Sequence, residues 1–509
     1  MVKDSFAKKA TELCSRLTAN DKISLICTHQ LPLSIEGMNE FYVGTEVARG
    51  FVGRKPEHFS TVFPQPIGLA GTFDKALMAE LGEIAGSESR AYYNSDNLLS
   101  PCLWGPTVDM ERDPRWGRGQ ETYGEDPYLA SIMGVAVVNG LQGPDDQKYD
   151  KLHACAKHYA VHSGPESKRH SFDAVVSERD LWETYLPAFK DLVTKADVKQ
   201  VMFAYNRIYG VPAGANECFM RDILEKEWGF QGVVVSDCWA VKDFYAGHKW
   251  SAGRVDAAAA AVKAGMDMEC GDAVPAIPEA IRRGLLTEDD VDESIIRVME
   301  HRYLLGEMDD DVPWDKLSTD KLCSQEHSDL ALEMAHKSIV LLENKGILPL
   351  KKSEKLLIVG PNADQPRMMW GNYNGTPNRT ITILDGIKTK QKSLVYLPGC
   401  DRTYDKVMDC LMASNCAIDG KKGLRGTFWN NTEMEGKPVT TEFYTTPLAV
   451  TTAGMHNFAP GVNLEDFSAK YETVFTPKEA GEYVVNMESC GDFELLIDGE
   501  SKVKYHTWR

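Results

Sequence analysis

The residue with the clearest chemical promise is Asp237, which ends the run Val233-Val234-Val235-Ser236. A β-branched run of this kind reads as a strand buried on both faces of a parallel sheet. The C-terminal ends of such strands are where α/β proteins place their chemistry. Three other strand-like segments also run into polar residues. One leads into Asp109 and the loop Arg112-Asp113-Pro114-Arg115-Trp116-Gly117-Arg118-Gly119-Gln120-Glu121, one into Lys157-His158-Tyr159, and one into Tyr205-Asn206. Gathered on one face, these ends would surround a carboxylate with directed hydrogen-bond donors. That combination suits a neutral, polyhydroxylated ligand, in other words a sugar. A carboxylate can attack an anomeric carbon through an oxocarbenium-like transition state, while nearby cations keep it ionised and hold the hydroxyls.

Each residue also has a plainer role open to it. Asp237 could cap the next helix, and Arg112, Asp113, Arg115 and Glu121 could form a structural ion-pair network. Lys157-His158 could be a satisfied core pair and Tyr205 a core aromatic. The twelve cysteines include no CxxC pair and no Cys/His spacing suited to a metal. With no glycine loop to cradle phosphate either, no cofactor is expected. Cys102, Cys155 and Cys270 lie in apolar sequence, where a buried free thiol is the expectation.

The elements that must position these groups are legible as a repeat. Strand-like runs at 103–108, 154–159, 201–205, 233–236 and, more weakly, 266–269 alternate with helical periodicity, as at 177–195, 255–264 and 291–305. This alternation predicts a (β/α)8 barrel of the TIM type or a close variant. An acidic stretch, 307–316, reads as a linker, and a helix at 327–342 with a buried strand at 356–360 opens an α/β sandwich. Past Gly423, Thr, Gly, aromatic and β-branched residues dominate; 483–487 and 493–497 read as short strands and Asp498-Gly499 as a turn. The expected domains are a barrel at 1–306, a linker at 307–325, the first part of an α/β sandwich at 326–422 and a partial all-β sandwich at 423–509.

A chain of 509 residues exceeds what one core serves, so two or three domains are required. A net charge of -19 disfavours nucleic acid and anionic membrane surfaces as partners. No apolar run is long enough to span a bilayer. The expected partner is an oligosaccharide or β-glycoside, with a homo-oligomer left open. Met1-Val2-Lys3-Asp4-Ser5 opens no apolar signal region, which fits a cytoplasmic protein or one whose signal has been removed.

Taken together, the segments that carry these residues resemble glycoside hydrolase family 3. They are RDPRWGRGQETYGEDP (112–127), Lys157-His158, VSERDLWETYL (176–186), VMFAYN (201–206), WGFQGVVVSDCW (228–239) and AGMDMECG (264–271), in the family's order. The region after Gly423, with Phe475-Thr476-Pro477, Gly481-x-Tyr483 and Leu496-Ile497-Asp498-Gly499, resembles a protective-antigen-like β-sandwich that some members carry as an insertion. The resemblance implies a retaining exo-β-glycosidase that removes terminal non-reducing sugars from plant-type oligosaccharides or glycosides, with Asp237 as its nucleophile. It also implies that Arg118, Lys157, His158 and Arg169 bind the hydroxyls of the terminal sugar and that Tyr205 lies beside the nucleophile. Glu46, in Phe41-Tyr42-x-x-Thr45-Glu46, falls where xylosidase-type members place a hydroxyl-binding glutamate, although the usual Trp and Leu-His-Gly neighbours are absent.

Cys238 stands where many glucosidases of the family have a Trp wall to the leaving-group site, and Phe63-Pro64-Gln65-Pro66-Ile67-Gly68 leans the same way. Xylose is therefore favoured, with glucose close behind. The family's usual acid/base is a glutamate after the inserted sandwich. The chain reaches Arg509 within the sandwich, so a C-terminally truncated protein is expected, with that glutamate beyond it. The alternative is a catalytically incomplete carbohydrate-binding protein. A subset of the family instead uses a histidine on the loop after the Lys-His pair, where His162 and His170 lie. That histidine pairs with an Asp two residues earlier; here the residue is Lys168, a cation expected to lower the His170 pKa and orient it poorly.

Overall fold

In the computed structural model, residues 2–33, 35, 38–53, 58–95, 100–144, 146–400, 415–445, 448, 458–463, 466–485, 487, 489 and 491–506 are described. Those up to 400, with 428–440 and those within 450–468, belong to one compact unit. Those within 415–427, 441–449 and 469–506 belong to a second.

In the first unit, helices Val2–Cys14 and Ala19–Leu25 lead to β1 (His29–Gln30) and β2 (Phe41–Tyr42), an antiparallel pair with His29 opposite Tyr42. Then come β3 (Thr45–Glu46), β4 (Cys102–Trp104) and β5 (His153–Tyr159). A side sheet is made by β6 (Asp173–Ala174), and β7 (Gln200–Phe203) returns to the main wall. Joined to β6 are β8 (Arg207–Ile208) and β9 (Val211–Pro212), and β10 (Val233–Ser236) completes the set. The main sheet runs β10-β7-β5-β4-β3, all parallel, with Val234 and Ala156 on either side of Val201.

The Val run behaves as its composition demands. Val233, Val234 and Val235 are each at most 1% exposed, and burying such side chains is worth roughly 1.5–3 kcal/mol apiece. Beyond β10, Val235 bridges to Met268 and Glu269 to Cys27, both in parallel, so the segment at 266–269 joins the wall back to the first strands. The barrel is thus a variant of the (β/α)8 type with an antiparallel pair at its seam. The chain turns between β2 and β3 at Gly44, whose φ is +99° and where a Cβ would fall 2.1 Å from the Trp104 indole.

The expected strand at 103–108 stops at Trp104. Pro106 has no N–H to give the ladder, and pairing resumes only at Thr107, which bridges Lys157. The expected helix at 177–195 is divided. Ser177 caps Glu178–Asp180, a π-helical turn covers Leu181–Tyr185, and Pro187 starts a fresh helix, Pro187–Ala196. Other helices begin where their caps dictate. Asp126 accepts from the Leu129 N–H ahead of Pro127–Gln142, and Thr287 forms a capping box with Asp290 ahead of Glu288–Leu304.

After the barrel, helix Gln325–Ser338 ends short of the expected 342, where the β-branched Ile339 and Val340 take over and lie exposed. A parallel pair follows, β11 (Leu356–Val359) and β12 (Leu394–Leu397), with helix Ile383–Lys390 between them in the chain. This βαβ element is the expected opening of an α/β layer, but its first strand is not the buried one expected, since Leu357 and Val359 lie exposed.

In the second unit Cys416–Ile418 is flanked antiparallel by Lys421–Lys422 and Val474–Phe475. Phe493–Ile497 and Glu500–Tyr505 form a hairpin around the expected Asp498-Gly499 turn. The strand expected at 483–487 is not formed: 483–485 and 487 are irregular, and 486 lies outside the described residues. Alternation alone does not make a strand, which also needs a ladder partner.

Candidate active site

The polar strand ends converge at the C-terminal rim of β3, β5, β7 and β10. Lys157, near the end of β5, places Nζ 2.6 and 2.8 Å from the two carboxylate oxygens of Glu46 on β3. The β5–β7 register slips between Lys157 and Tyr159, so His158 lies in an irregularity of the ladder, a feature that re-aims a side chain. His158 Nδ1 lies 2.8 Å from Asp109 Oδ2, and its Nε2 faces Asp237 Oδ2 at 3.6 Å. Arg118 is held by Glu121 through two parallel bonds, Nε to Oε1 at 2.9 Å and Nη2 to Oε2 at 2.7 Å. Glu46, Asp109, Arg118, Lys157, His158 and Asp237 are all buried.

Asp237 leaves β10 with its N–H donating to the Phe203 carbonyl, and its Oδ1 accepts the Cys238 N–H at 2.8 Å. Its Oδ2 is buried and, among the described residues, accepts no hydrogen bond. Burial pushes its carboxyl up from the ordinary value, while Arg118 and Lys157 pull it back. Tyr205, just past β7, stands against this carboxylate; burial and then the Asp237 charge drive its phenol well above the usual range. Burial, then the neighbouring Arg118 charge, push His158 well below its ordinary value. Burial raises Asp109 to about 7 and Glu46 to about 6. The charge nearest His158 is thus kept small, and the cations are left to Arg118 and Lys157.

Arg169 lines one small cavity with Trp116, His162 and Asn206, and its guanidinium is bonded to Glu166. All seven residues expected from the sequence, Glu46, Arg118, Lys157, His158, Arg169, Tyr205 and Asp237, therefore gather at one rim. Arg112, Asp113 and Arg115 do not join them: Asp113 and Arg115 form an exposed pair of their own, and Arg112 lies over the Tyr185 ring.

Two expectations are overturned. Cys270 is not a free thiol: it is disulfide-bonded to Cys238, with Cα atoms 4.5 Å apart. Val235 and Met268 are parallel neighbours, so the residues just past them emerge side by side. Position 238 is consequently one arm of a cross-link beside Asp237 rather than a small open wall, whereas Cys102 and Cys155 are the expected buried thiols. His170 differs too. Its Nδ1 lies 2.7 Å from Asp243 Oδ2, on the helix Ala240–Asp243, and this bond raises its pKa. Lys168 is not the partner that sets it.

The residue that sequence reasoning missed is Tyr373, from the loop between β11 and β12. Its ring lies 4.9 Å from Lys157 Nζ and 5.7 Å from Arg118 Cζ. The loop is stitched to the barrel by the Arg49 guanidinium, which donates to the Met369 and Trp370 carbonyls at 3.3 Å, and by the Ser60 N–H, which donates to Thr376 O at 2.9 Å. Nothing local in Asn372-Tyr373-Asn374 signals this role; the signal is the tertiary seat itself. The assembled rim offers one unpartnered carboxylate oxygen, ringed by guanidinium, ammonium, imidazole and phenol groups and walled by aromatic rings. Such a site can hold a polyhydroxylated ring and attack it from one side.

Comparison with known proteins identifies the family. Residues 32–301 match the model of the glycosyl hydrolase family 3 N terminal domain, and 339–486 that of the family 3 C-terminal domain. A xylan 1,4-beta-xylosidase from Xylanibacter ruminicola is 53% identical over 99% of this chain and 60% of its own length. A probable beta-D-xylosidase of Arabidopsis thaliana is 34% identical over 81% of this chain and 56% of its own. Among solved structures, a family 3 exo-beta-xylosidase in complex with a xylobiose aziridine probe superposes with a TM-score of 0.76 at 30% identity, covering 79% of this chain and 54% of that one. A beta-glucosidase from Listeria innocua in complex with glucose gives 0.68 at 26% identity, covering 79% and 61%. The chain thus spans well under two thirds of the length of each of these proteins. This chain belongs to glycosyl hydrolase family 3.

Proposed function

We propose that this chain carries the sugar-binding and nucleophilic residues of a retaining exo-β-xylosidase, with Asp237 as the nucleophile. The observation that carries this reading is the Asp237 carboxylate: buried at a strand end, flanked by cations, with Oδ2 accepting nothing from the described residues. In the first step Oδ2 bonds to C1 of the terminal sugar as the C1–O bond to the leaving group breaks; the leaving-group oxygen keeps the electron pair and takes a proton from water. In the second step a water oxygen bonds to C1 and gives up a proton to solvent as the C1–Oδ2 bond breaks, its electron pair returning to Asp237. Arg118 and Lys157 favour the ionised carboxylate against the effect of its burial, and with His158, Arg169 and Glu46 they hold the hydroxyls. Xylose is favoured over glucose by the 53% identity to a xylosidase. The division into barrel (1–306), linker (307–325), α/β layer (326–422) and β-rich part (423–509) belongs to the same proposal.

An activated fluoro-sugar tests it without calling on a proton donor, because dinitrophenolate leaves unaided. Incubation with 2,4-dinitrophenyl 2-deoxy-2-fluoro-β-xyloside is expected to add one fluoroxylosyl group, located by mass spectrometry on the peptide that contains Asp237. A label on another residue would overturn the assignment. A chain that binds xylose but takes up no label would favour a carbohydrate-binding role instead.

A further inference from the structure

Two tyrosines stand at this rim, one beside the nucleophile and one over Lys157 and Arg118. Tyr205 responds, after burial, to the charge of Asp237 and stands at the nucleophile. Tyr373 lies over Lys157, whose Nζ is bonded to both carboxylate oxygens of Glu46, and over Arg118. A pyranose whose C1 faces Asp237 must turn C3, C4 and C5 toward the Glu46–Lys157 end. The ammonium and carboxylate there suit hydroxyls. The ring of Tyr373 suits carbon, and the one pyranose ring carbon that bears only hydrogens in xylose is C5. In glucose that same carbon carries a hydroxymethyl group.

We infer that the Tyr373 ring packs against C5 of the bound sugar and selects pentoses over hexoses, as a specificity-determining residue delivered to the barrel by the α/β layer. The inference rests on the glycosidase reading above. Rejecting a larger sugar requires a wall that does not swing away. Tyr373 meets that condition, because its loop is tied to the barrel before it, by Arg49 at Met369 and Trp370, and after it, by Ser60 at Thr376.

The test compares inactivation by the 2,4-dinitrophenyl 2-deoxy-2-fluoro-β-xyloside and the matching β-glucoside. Each protein is scored by the ratio of its two second-order rate constants, in which the fraction of folded protein cancels. The unaltered chain is expected to favour the xyloside by about tenfold or more. Tyr373→Ala, and the milder Tyr373→Val, are expected to reduce that ratio about tenfold by speeding the glucoside, whereas Tyr373→Phe keeps it. If the unaltered chain reacts and the Ala and Val variants keep its ratio, the inference falls and the glycosidase reading stands. If the unaltered chain reacts with neither sugar, both fall together.

Discussion

Strand β5 carries a buried histidine at each end, and the two make an instructive pair. At its start, His153 lies 3.1 Å from Asp150 and 3.4 Å from His301, with Lys199 Nζ 3.8 Å from Asp150. Toward its far end, His158 lies 2.8 Å from Asp109. Both are fully buried beside an aspartate, and burial pushes both pKa values down. What differs is the second face of the ring. His153 turns to another imidazole inside a closed set of partners, whereas His158 turns toward a carboxylate oxygen that accepts no hydrogen bond from the described residues. A perturbed histidine thus does not by itself mark a site. An unpartnered group among convergent charges does.

The sharpest way to break this contrast is at the unpartnered group. Asp237→Asn is expected to lower turnover of an activated aryl β-xyloside at least about a thousandfold, as removal of a nucleophile does, with little change in a thermal melt. Retained turnover would make that oxygen a structural oddity. The histidines themselves come next. His158→Ala is expected to cost about a hundredfold in labelling rate by the fluoro-xyloside, as loss of one directed donor does. His153→Ala should leave the rate of the folded protein intact and lower its stability by about 1–3 kcal/mol through the unpaired groups it leaves. Equal effects of the two substitutions on rate would erase the difference between the ends.

The smallest effect probes a buried acid at the same rim whose bonds are complete. Glu269 accepts the N–H groups of Ala273 and Val274, yet burial raises it from 4.5 to about 7. In the unfolded chain it loses its proton first, so its contribution to stability is full below about 4.5 and is lost as pH rises through about 7. Glu269→Gln removes that dependence. Urea midpoints at acid and neutral pH are therefore expected to show the unaltered protein losing on the order of 2 kcal/mol relative to the variant. Parallel pH profiles would contradict it.

Much of this site is legible in the sequence. The Val run, its terminal acid and the polar ends of three other strands depend on local patterning, and local patterning survives into the barrel. The helix Glu288–Leu304 covers the periodicity expected at 291–305 but for its last residue. The misses share a cause. His170 found Asp243, 73 residues away, where the sequence offered Lys168 two residues back. Cys238 found Cys270 because two strands that are distant in the chain lie side by side. Tyr373 reached Lys157 from another layer altogether.

By itself, then, the sequence determined the kinds of chemistry available and the periodicities that build a wall to carry them. These are properties of side chains and of their immediate neighbours. Only the tertiary structure decided which partners satisfy which charges: Glu46 for Lys157 across 111 residues, Asp109 for His158 across 49, and no hydrogen-bond donor among the described residues for Asp237 Oδ2. Burial and distance set those outcomes, and both come into being only once the strands close on one another.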